Sequence, residues 1–290
     1  MKIVNLHKNL KFVGIVAKTP KNSLKIAQIL REFGVEPLYE VKTAKALGEK
    51  PLFLSEILKY TNFIITVGGD GTLIGVCRDL ARTQAHILGV YDGNLGFLTD
   101  IKISEFETFM SEFMSGKYEV EQPLMLEATF FKNSEEVDKR VAFNDIVFTR
   151  TAVLSMSKVD AYLDGKQFNS YYGDGVIVSS AIGSTAYNMS AGGPILSPLS
   201  NNICITPICS HSLSQRPLVL TNSQNLSFKN ADDSKVSVVI DGQKAFDMDK
   251  FDEVYVSLGE VHANLIRHKS RDYFEVLKSK LHWGHSEEKA

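Results

Sequence analysis

The sequence has little cysteine, no excess of basic residues and no long apolar run. Its three cysteines are odd in number and lie in apolar surroundings, which predicts reduced, buried thiols rather than a disulfide framework. No apolar run approaches the roughly 18 residues of a membrane span, and charge interrupts the first segment, MKIVNLHKNLK, before the apolar core of a signal peptide can form. We therefore expect a cytoplasmic protein that has no membrane partner.

Charge narrows the choice of partners further. The formal net charge is -2 and the basic residues are scattered along the chain, so the sequence lacks the basic stripe that nucleic-acid binding requires. We expect no nucleic acid partner, and a small anionic ligand would need a local positive site. The length of 290 residues and the hydrophobic content of 44% are enough for a sizeable core and predict about two domains.

The first 117 residues carry the pattern of an α/β domain. Short apolar runs at 12–17, 63–67 and 86–91 alternate with helical patterns, as expected of a parallel sheet with crossover helices. The first helix is predicted over residues 22–33, and Gly34 is placed to end it. The predicted domain 1–117 also contains the glycine-rich loop described below.

Two further helices are predicted near the ends of the domains. One covers residues 104–115, where Ser104 and Glu107 have the spacing of a capping box. The other is an amphipathic helix over 271–283, which is predicted to pack back onto the body. It belongs to a C-terminal segment, 269–290, that ends in a polar tail.

The pattern changes at residue 118, and residues 118–268 are predicted to form a mostly β domain. Helical periods nearly vanish there, and strand-like segments follow one another at short intervals. Asp164-Gly165 and Asp241-Gly242 each separate two such segments, which is the strongest short signal for a β-hairpin.

The stretch FIITVGGDGTLIGVC, residues 63–77, places a single aspartate, Asp70, among glycines directly after a predicted buried strand. The carboxyl ends of strands are where open α/β sheets bind their ligands. Gly68, Gly69 and Gly71 permit positive φ and let a ligand approach the backbone without meeting a Cβ. The stretch is neither a Walker A loop nor the glycine fingerprint of dinucleotide-binding folds.

Thr72 is predicted to cap the helix that follows, over residues 73–81, so that its N-terminus faces the ligand crevice. Such a terminus favours an anion by only about 0.3 to 1 kcal/mol at an exposed site, too little to offset the charge of a triphosphate beside the Asp70 carboxylate. A divalent cation, Mg²⁺, is therefore implied. The alternative from the residues alone is a glycine turn whose aspartate caps the next helix.

The glycine-rich stretch resembles the GGDGT motif shared by NAD kinases, diacylglycerol and sphingosine kinases and, with a serine last, 6-phosphofructokinases. Further segments match the NAD kinase pattern in order: GNLGFLTD at 93–100, FNDIVF at 143–148, GDGVIVSSAIGSTAYNMSAGGPIL at 173–196, HSLSQRPLV at 211–219 and DGQ at 241–243. The resemblance covers nearly the whole chain, and GSTAYNMSAGGP separates it from lipid kinases and phosphofructokinases. An α/β first half and a β-rich second half also fit that family.

The polar pair Asn144 and Asp145 is predicted to bind ribose. Both fall in a strand-like segment with apolar neighbours, so their side chains need partners, and a carboxylate accepts hydrogen bonds from both hydroxyls of a vicinal diol. From the residues alone, a buried pair that ties down a local turn is an equal alternative. The resemblance favours the ligand, and the two riboses of NAD would supply the hydroxyls.

The resemblance implies further contacts to the nucleotides. Tyr187 offers a ring for stacking on a base, Asp174 matches a family position that contacts the substrate, and Gln243 follows a hairpin-type Asp-Gly. Without the resemblance, an ordinary capped helix and simple turns would account for all three. The full set implied to bind nucleotides is Gly68, Gly69, Gly71, Thr72, Asn144, Asp145, Asp174, Thr185, Ala186, Tyr187, Asn188, Met189, Ser190 and Gln243.

The sequence departs from the family pattern in one region. Many members have an arginine just before the position of Gly173, where this chain has Tyr172, and a Thr-Pro where this chain has Ser180-Ala181. The role of that arginine is therefore not assigned to Tyr172, and the contacts of 171–182 stay open.

Together these observations predict an NAD kinase-like enzyme that transfers the γ-phosphate of ATP to the 2′-hydroxyl of the adenosine ribose of NAD, with magnesium. Asp70 is predicted to accept the hydroxyl proton and mainly to orient the hydroxyl, because the loose transition state of phosphoryl transfer depends more on position than on base strength. No side chain is predicted as a metal ligand, and the family implies a homodimer or homotetramer. Two alternatives stay open: a lipid or sugar kinase that shares the glycine loop, and a dinucleotide-binding sensor without turnover.

Overall fold

The computed structural model describes residues 5–93, 95–152, 155–222, 225–232 and 234–283. The strands are β1 Phe12–Ala17, β2 Glu36–Glu40, β3 Pro51–Leu52, β4 Phe63–Val67, β5 His86–Tyr91, β6 Ile101–Lys102, β7 Tyr118–Glu121, β8 Leu124–Lys132, β9 Glu135–Ala142, β10 Asp145–Arg150, β11 Ser157–Leu163, β12 Lys166–Gly173, β13 Gly175–Ser180, β14 Asn202–Ile208, β15 Leu218–Thr221, β16 Leu226–Asn230, β17 Val236–Ile240, β18 Lys244–Asp247, β19 Glu253–His262 and β20 Asn264–His268. The α-helices are α1 Ser23–Glu32, α2 Val41–Leu47, α3 Leu54–Ile57, α4 Asp70–Asp79, α5 Phe106–Met114, α6 Tyr187–Ser190 and α7 Tyr273–Leu281.

The chain divides into two compact units, one formed by Met1–Glu121 with Asn264–Ala290 and the other by Gln122–Ala263. The first unit contains an eight-stranded sheet in the order β3-β2-β1-β4-β5-β20-β7, with β6 beside β5. Its strands are parallel except for the antiparallel pair of β20 and β7. The prediction of an α/β first domain with a parallel sheet is confirmed.

The central strands of this sheet are mostly apolar, as expected of strands that helices cover. All five residues of β4 are buried, as expected of a parallel strand with both faces covered. Ile26 and Leu30 of α1, four positions apart, lie in the same apolar core as Phe109 and Phe113 of α5. The predicted strands at 12–17, 63–67 and 86–91 coincide with β1, β4 and β5.

The second unit consists of two six-stranded antiparallel sheets, in the orders β15-β14-β13-β10-β17-β18 and β12-β11-β16-β19-β8-β9. One apolar core contains residues from both sheets. The ring of Phe148, in the first sheet, stacks on that of Phe228, in the second sheet, with 4.5 Å between the ring centroids. The prediction of a mostly β second domain is confirmed. Both predicted hairpin turns form, and Asp164 and Asp241 adopt positive φ values of 49° and 48°.

The unit boundaries differ from those predicted at 117/118 and 268/269. Strands β7 and β20, which those boundaries assign to the β-rich domain, complete the sheet of the first unit. The predicted C-terminal helix is present as α7 and belongs to this first unit. The predicted polar tail, 284–290, and Asn94 of GNLGFLTD lie outside the described residues.

Three local predictions are wrong. Helix α4 begins at Asp70 rather than after Thr72, because Gly69 already has the extended conformation of an N-cap residue. Before α5, the carboxylate of Glu105 accepts from the amide of Lys102 at 3.3 Å, so the box formed by that pair replaces the predicted Ser104–Glu107 pair.

The third concerns the cysteines. Cys77 and Cys204 are buried thiols outside any disulfide, as predicted, but Cys209 is exposed; it follows the end of β14 with a φ of 45°. Within the described ranges, no helix is both long and apolar enough to cross a membrane.

Candidate active site

The glycine-rich stretch follows β4 at the carboxyl edge of the parallel sheet, as predicted. Gly69 has φ −87° and ψ −177° and forms the N-cap of α4, whose first residue is Asp70. Gly69 and Gly71 do not use the positive φ that glycine permits, and Gly68, with φ +159°, is close to extended backbone. A Cβ on Gly69 or Gly71 would meet no atom within 4 Å, so the backbone there is open to close approach.

The carboxylate of Asp70 is held by the loop that follows β5. Its Oδ2 accepts a hydrogen bond from the amide of Phe97 at 2.8 Å, and its Oδ1 accepts from the amides of Leu98 and Thr99 at 3.2 and 3.1 Å. The hydroxyl of Thr99 also donates to Oδ1, at 3.2 Å. Gly96 permits this approach, since a Cβ on it would lie 1.9 Å from Oδ1. The GNLGFLTD segment thus fixes the direction of the Asp70 carboxylate.

The second unit contains a cavity of about 350 Å³. Its lining residues are Asn144, Asp145, Val147, Thr149, Ala186, Tyr187, Val239, Asp241 and Gly242. The structure therefore brings four of the predicted nucleotide-binding residues together, Asn144, Asp145, Ala186 and Tyr187. Tyr187 is 46% exposed and lines the cavity, so its ring is accessible to a planar group.

Two aspartates give this cavity its charge. Asp145 is the first residue of β10 and only 4% exposed, and among the described residues no group donates a hydrogen bond to its carboxylate. Asp241 accepts from the amides of Phe143, Asn144 and Asp145 at 2.9, 2.7 and 3.2 Å. A carboxylate that lines a cavity and accepts no hydrogen bond from the described residues favours a ligand that brings hydroxyl groups, and two neighbouring carboxylates disfavour a phosphate.

The pKa of Asp145 reflects this environment. Burial, and after it the charge of Asp241, raises the pKa of Asp145 to about 7. Between the ordinary pKa of 3.8 and this value the folded protein holds a proton that the unfolded chain has lost. The free energy of unfolding therefore falls as the pH rises from about 4 to about 7, and the loss is complete above that window.

Asp145→Asn should consequently stabilise the ligand-free protein at pH 8, stabilise it less at pH 5, and change its stability little near pH 4. The amide cannot ionise, so it avoids a cost on the order of 1 to 4 kcal/mol that the buried carboxylate incurs above pH 7. Thermal unfolding at a series of pH values checks this. Asp164→Asn, the same change at an exposed hairpin turn of the same unit, is the matched control. Parallel curves for wild type and Asp145→Asn would contradict the assignment.

Asp174 lies between β12 and β13 rather than in the cavity lining. Its carboxylate pairs with Arg150, the last residue of β10, at 2.7 Å, and its side chain is 39% exposed. Sequence reasoning missed Arg150, which offers no signal beyond a charged residue at the end of a strand. The ion pair partly neutralises Asp174 and fixes its direction.

The segment before Tyr187 is held by buried hydrogen bonds. Asn188 is fully buried; its Nδ2 donates to the carbonyls of Ser184 and Pro194 at 3.1 and 3.0 Å, and its Oδ1 accepts from the hydroxyl of Thr206 at 2.6 Å. Asn188 does not line the cavity, and these bonds instead hold the short helix that presents Tyr187.

Other predicted contacts also lie outside the cavity lining: Thr185, Met189, Ser190 and Gln243. Gln243 is exposed in the β17–β18 turn, where its main-chain N–H donates to the carbonyl of Ile240 at 2.9 Å. In the region that departs from the family pattern, the ring of Tyr172 lies against that of His211 at 5.5 Å between centroids.

Sequence reasoning also missed Asp241, which it explained by turn chemistry alone. The Asp-Gly signal correctly predicts the turn, but the three amides that Asp241 holds come from a segment almost a hundred positions earlier in the chain. Among the described residues, no group of three or more His, Cys, Asp or Glu side chains is placed to hold a metal ion.

Two family models match the chain. They are the ATP-NAD kinase N-terminal domain, over residues 16–118, and the ATP-NAD kinase C-terminal domain, over residues 143–268. The NAD kinase of Sulfurimonas denitrificans is 38% identical over 283 residues, which is 96% of this chain and 99% of that protein. The NAD kinase of Campylobacter lari is 39% identical over 283 residues, which is 98% of this chain and 99% of that protein.

Two solved structures are also similar over both units. Yeast NADH kinase, complexed with NADH, has a TM-score of 0.85 and 28% identity and covers 96% of this chain and 89% of its own. An NAD kinase from Archaeoglobus fulgidus, in complex with ATP, has a TM-score of 0.76 and 26% identity and covers 93% of this chain and 98% of its own.

Proposed function

Because this chain belongs to the NAD kinase family, we propose that Asp70 accepts the proton of the attacking hydroxyl in its reaction. The enzyme transfers the γ-phosphate of ATP to the 2′-hydroxyl of the adenosine ribose of NAD, which yields NADP. The observation that carries the role of Asp70 is its place as the first residue of α4, at the carboxyl edge of the sheet and beside open glycine backbone.

The hydrogen bonds of Asp70 indicate which oxygen acts. Among the described residues, Oδ1 accepts three hydrogen bonds, whereas Oδ2 accepts one, from Phe97. Oδ2 therefore has more acceptor capacity left than Oδ1, and we assign the hydroxyl of NAD to it. The amides at the start of α4 lie next to it and favour the charge of a phosphate. Positioning of the hydroxyl is then the main contribution, as a loose phosphoryl-transfer transition state requires.

We propose that the cavity of the second unit binds a ribose and the base attached to it. The Asp145 carboxylate accepts from the ribose hydroxyls, Asn144 both donates and accepts, and Tyr187 stacks on the base. The support is a carboxylate that lines the cavity without a donor among the described residues, beside the half-exposed residue Tyr187. Thr185, Ala186, Met189, Ser190, Asp174 and Gln243 stay proposed as further nucleotide contacts, as do Gly68, Gly69, Gly71 and Thr72 near the phosphates.

We further propose that Mg²⁺ enters as the complex with ATP. The ion prefers octahedral oxygen coordination and keeps waters beside phosphate ligands, so one carboxylate near the phosphates suffices and a cluster of protein ligands is not needed. From the family resemblance we also propose a homodimer or homotetramer that works in the cytoplasm without nucleic acid or membrane partners.

Incubation of the purified protein with NAD, ATP and magnesium, followed by an NADP-specific enzymatic assay, tests the function. NADP should form only when all three are present, and omission of each in turn is the control. Binding of NAD without NADP formation would favour a dinucleotide sensor. Phosphorylation of a lipid or sugar without NAD binding would favour the other kinases that share the glycine loop.

A further inference from the structure

The loop that donates to Asp70 has a second set of partners from the C-terminal part of the same unit. Arg271, which follows β20, donates from Nη2 to the carbonyl oxygen of Phe97 at 2.9 Å. Arg267, within β20, donates from Nη1 to the carbonyl oxygen of Leu98. Both arginines therefore grip the main chain of the segment whose amides hold the Asp70 carboxylate.

Two acidic side chains complete this cluster. Asp100 pairs through Oδ1 with Nε of Arg271 at 2.6 Å and through Oδ2 with Nη1 of Arg267 at 3.1 Å. Glu121 pairs with Nε of Arg267 at 2.7 Å. The side chains of Arg267, Arg271 and Asp100 are 3, 8 and 7% exposed and that of Glu121 is 23% exposed, so two positive and two negative groups balance one another in a largely buried cluster. The charges fix the positions of these four side chains, because each charged group needs its partners to offset the cost of burial.

The planarity of the peptide bond links the arginines to Asp70. The carbonyl of Phe97 and the N–H of Leu98 belong to one rigid peptide plane, and the carbonyl of Leu98 and the N–H of Thr99 belong to the next. Each arginine holds the carbonyl end of a plane whose N–H end donates to Oδ1 of Asp70. A guanidinium on the carbonyl also polarises the peptide and strengthens the bond that its N–H makes.

We propose that Arg267 and Arg271 are positioning residues for the phosphoryl transfer, which act through the two peptide planes to orient the carboxylate of Asp70. The inference rests on the proposed role of Asp70. Neither arginine has a sequence signal for this role, since both lie far along the chain from the glycine loop. Loss of the arginine hydrogen bonds to these carbonyls would let the peptide planes of residues 97–99 rotate. A displacement near 1 Å at a reacting group costs up to about 100-fold in rate.

Arg271→Ala should lower kcat roughly 10- to 100-fold and change the KM for NAD and for ATP less than about threefold, as expected of a change behind the reacting group. Arg31→Ala is the matched control, since Arg31 is a surface arginine of the same unit that is paired only weakly, with Glu36 at 3.4 Å. It should leave kcat unchanged. The proposal would be overturned if the loss of kcat equalled the loss in the fraction of folded enzyme, or if KM rose while kcat stayed constant.

Rescue distinguishes a positioning role from a merely structural one. Arg271 lines a cavity of about 530 Å³, so a small guanidinium ion has room to enter the space that its side chain leaves. Low millimolar methylguanidinium should restore part of kcat in Arg271→Ala, whereas sodium chloride of equal ionic strength should not. If Arg271→Ala does not fold, Arg271→Lys decides. A compact ammonium lacks the planar fork with which Nε of Arg271 bonds Asp100 and Nη2 bonds the Phe97 carbonyl, so kcat should still fall. Wild-type kcat in Arg271→Lys would overturn the proposal.

A double-mutant cycle separates this inference from the role of Asp70. If Arg271 acts through Asp70, Arg271→Ala should have little further effect on kcat in the Asp70→Asn background. If both single variants are slow and their effects multiply, the positioning role is wrong and that of Asp70 survives. If Asp70→Asn alone keeps wild-type kcat, the proposed role of Asp70 is wrong, and the inference falls with it.

Discussion

Asp70→Asn should lower kcat by at least about 100-fold while NAD still binds within a few-fold of the wild-type affinity. The substitution keeps the shape of the side chain but removes the proton acceptor at Oδ2. It also places an amide group among donors, so at least one of the bonds from the Phe97, Leu98 and Thr99 amides is lost. Both effects act on the transfer step, because neither removes a contact to the ribose cavity of the second unit.

Steady-state kinetics beside calorimetric titration with NAD would measure the two effects separately. Asp79→Asn, the same change at the exposed end of the same helix, should leave both quantities near wild type. If Asp70→Asn abolishes NAD binding but barely slows the turnover that remains at saturation, Asp70 is a binding residue and the proton acceptor lies elsewhere.

The sequence was most informative where structure is local. The strands β1, β4 and β5 match their predicted bounds, because a short apolar run between turn residues already carries the signal of a buried parallel strand. The Asp-Gly hairpins match for a similar reason, since the turn needs positive φ and both residue types tolerate it. Position at the carboxyl edge of the sheet then follows for Asp70 from the order of strand and helix alone.

Contacts between distant segments could not be predicted in this way. Strands β7 and β20 have ordinary strand patterns, and only their pairing with each other and with β5 assigns them to the first unit. Asp241 holds amides of residues 143–145, and Arg267 and Arg271 hold the carbonyls of Phe97 and Leu98. In each case one side chain stabilises the main chain of a segment remote in sequence. Neither composition nor periodicity indicates which distant residue will make such a contact.

The buried carboxylate of Asp145 is the part of the second unit where stability and binding oppose each other. In the ligand-free protein, burial and, after it, the charge of Asp241 make ionisation of Asp145 unfavourable, which raises the pKa of Asp145 to about 7. Ribose hydroxyls that donate to the ionised carboxylate would offset that cost. A residue that destabilises the free protein is retained at a binding site when the ligand needs its charge.

Asp145→Asn should therefore raise the KM for NAD roughly 10- to 150-fold, the equivalent of about 1.5 to 3 kcal/mol for hydrogen bonds to a charged group, and should change kcat only a few-fold. The same variant is expected to be more stable than wild type at pH 8, so the two effects have opposite signs.

Because only the ionised carboxylate accepts both hydroxyls, the wild type should bind NAD about tenfold more weakly at pH 6 than at pH 8, given a pKa of about 7. Binding to Asp145→Asn should not depend on pH in this range. Calorimetric titration with NAD at pH 6, 7 and 8 would decide. An NAD affinity that is unchanged by the substitution would show that Asp145 does not bind the ribose and serves only in the packing of β10.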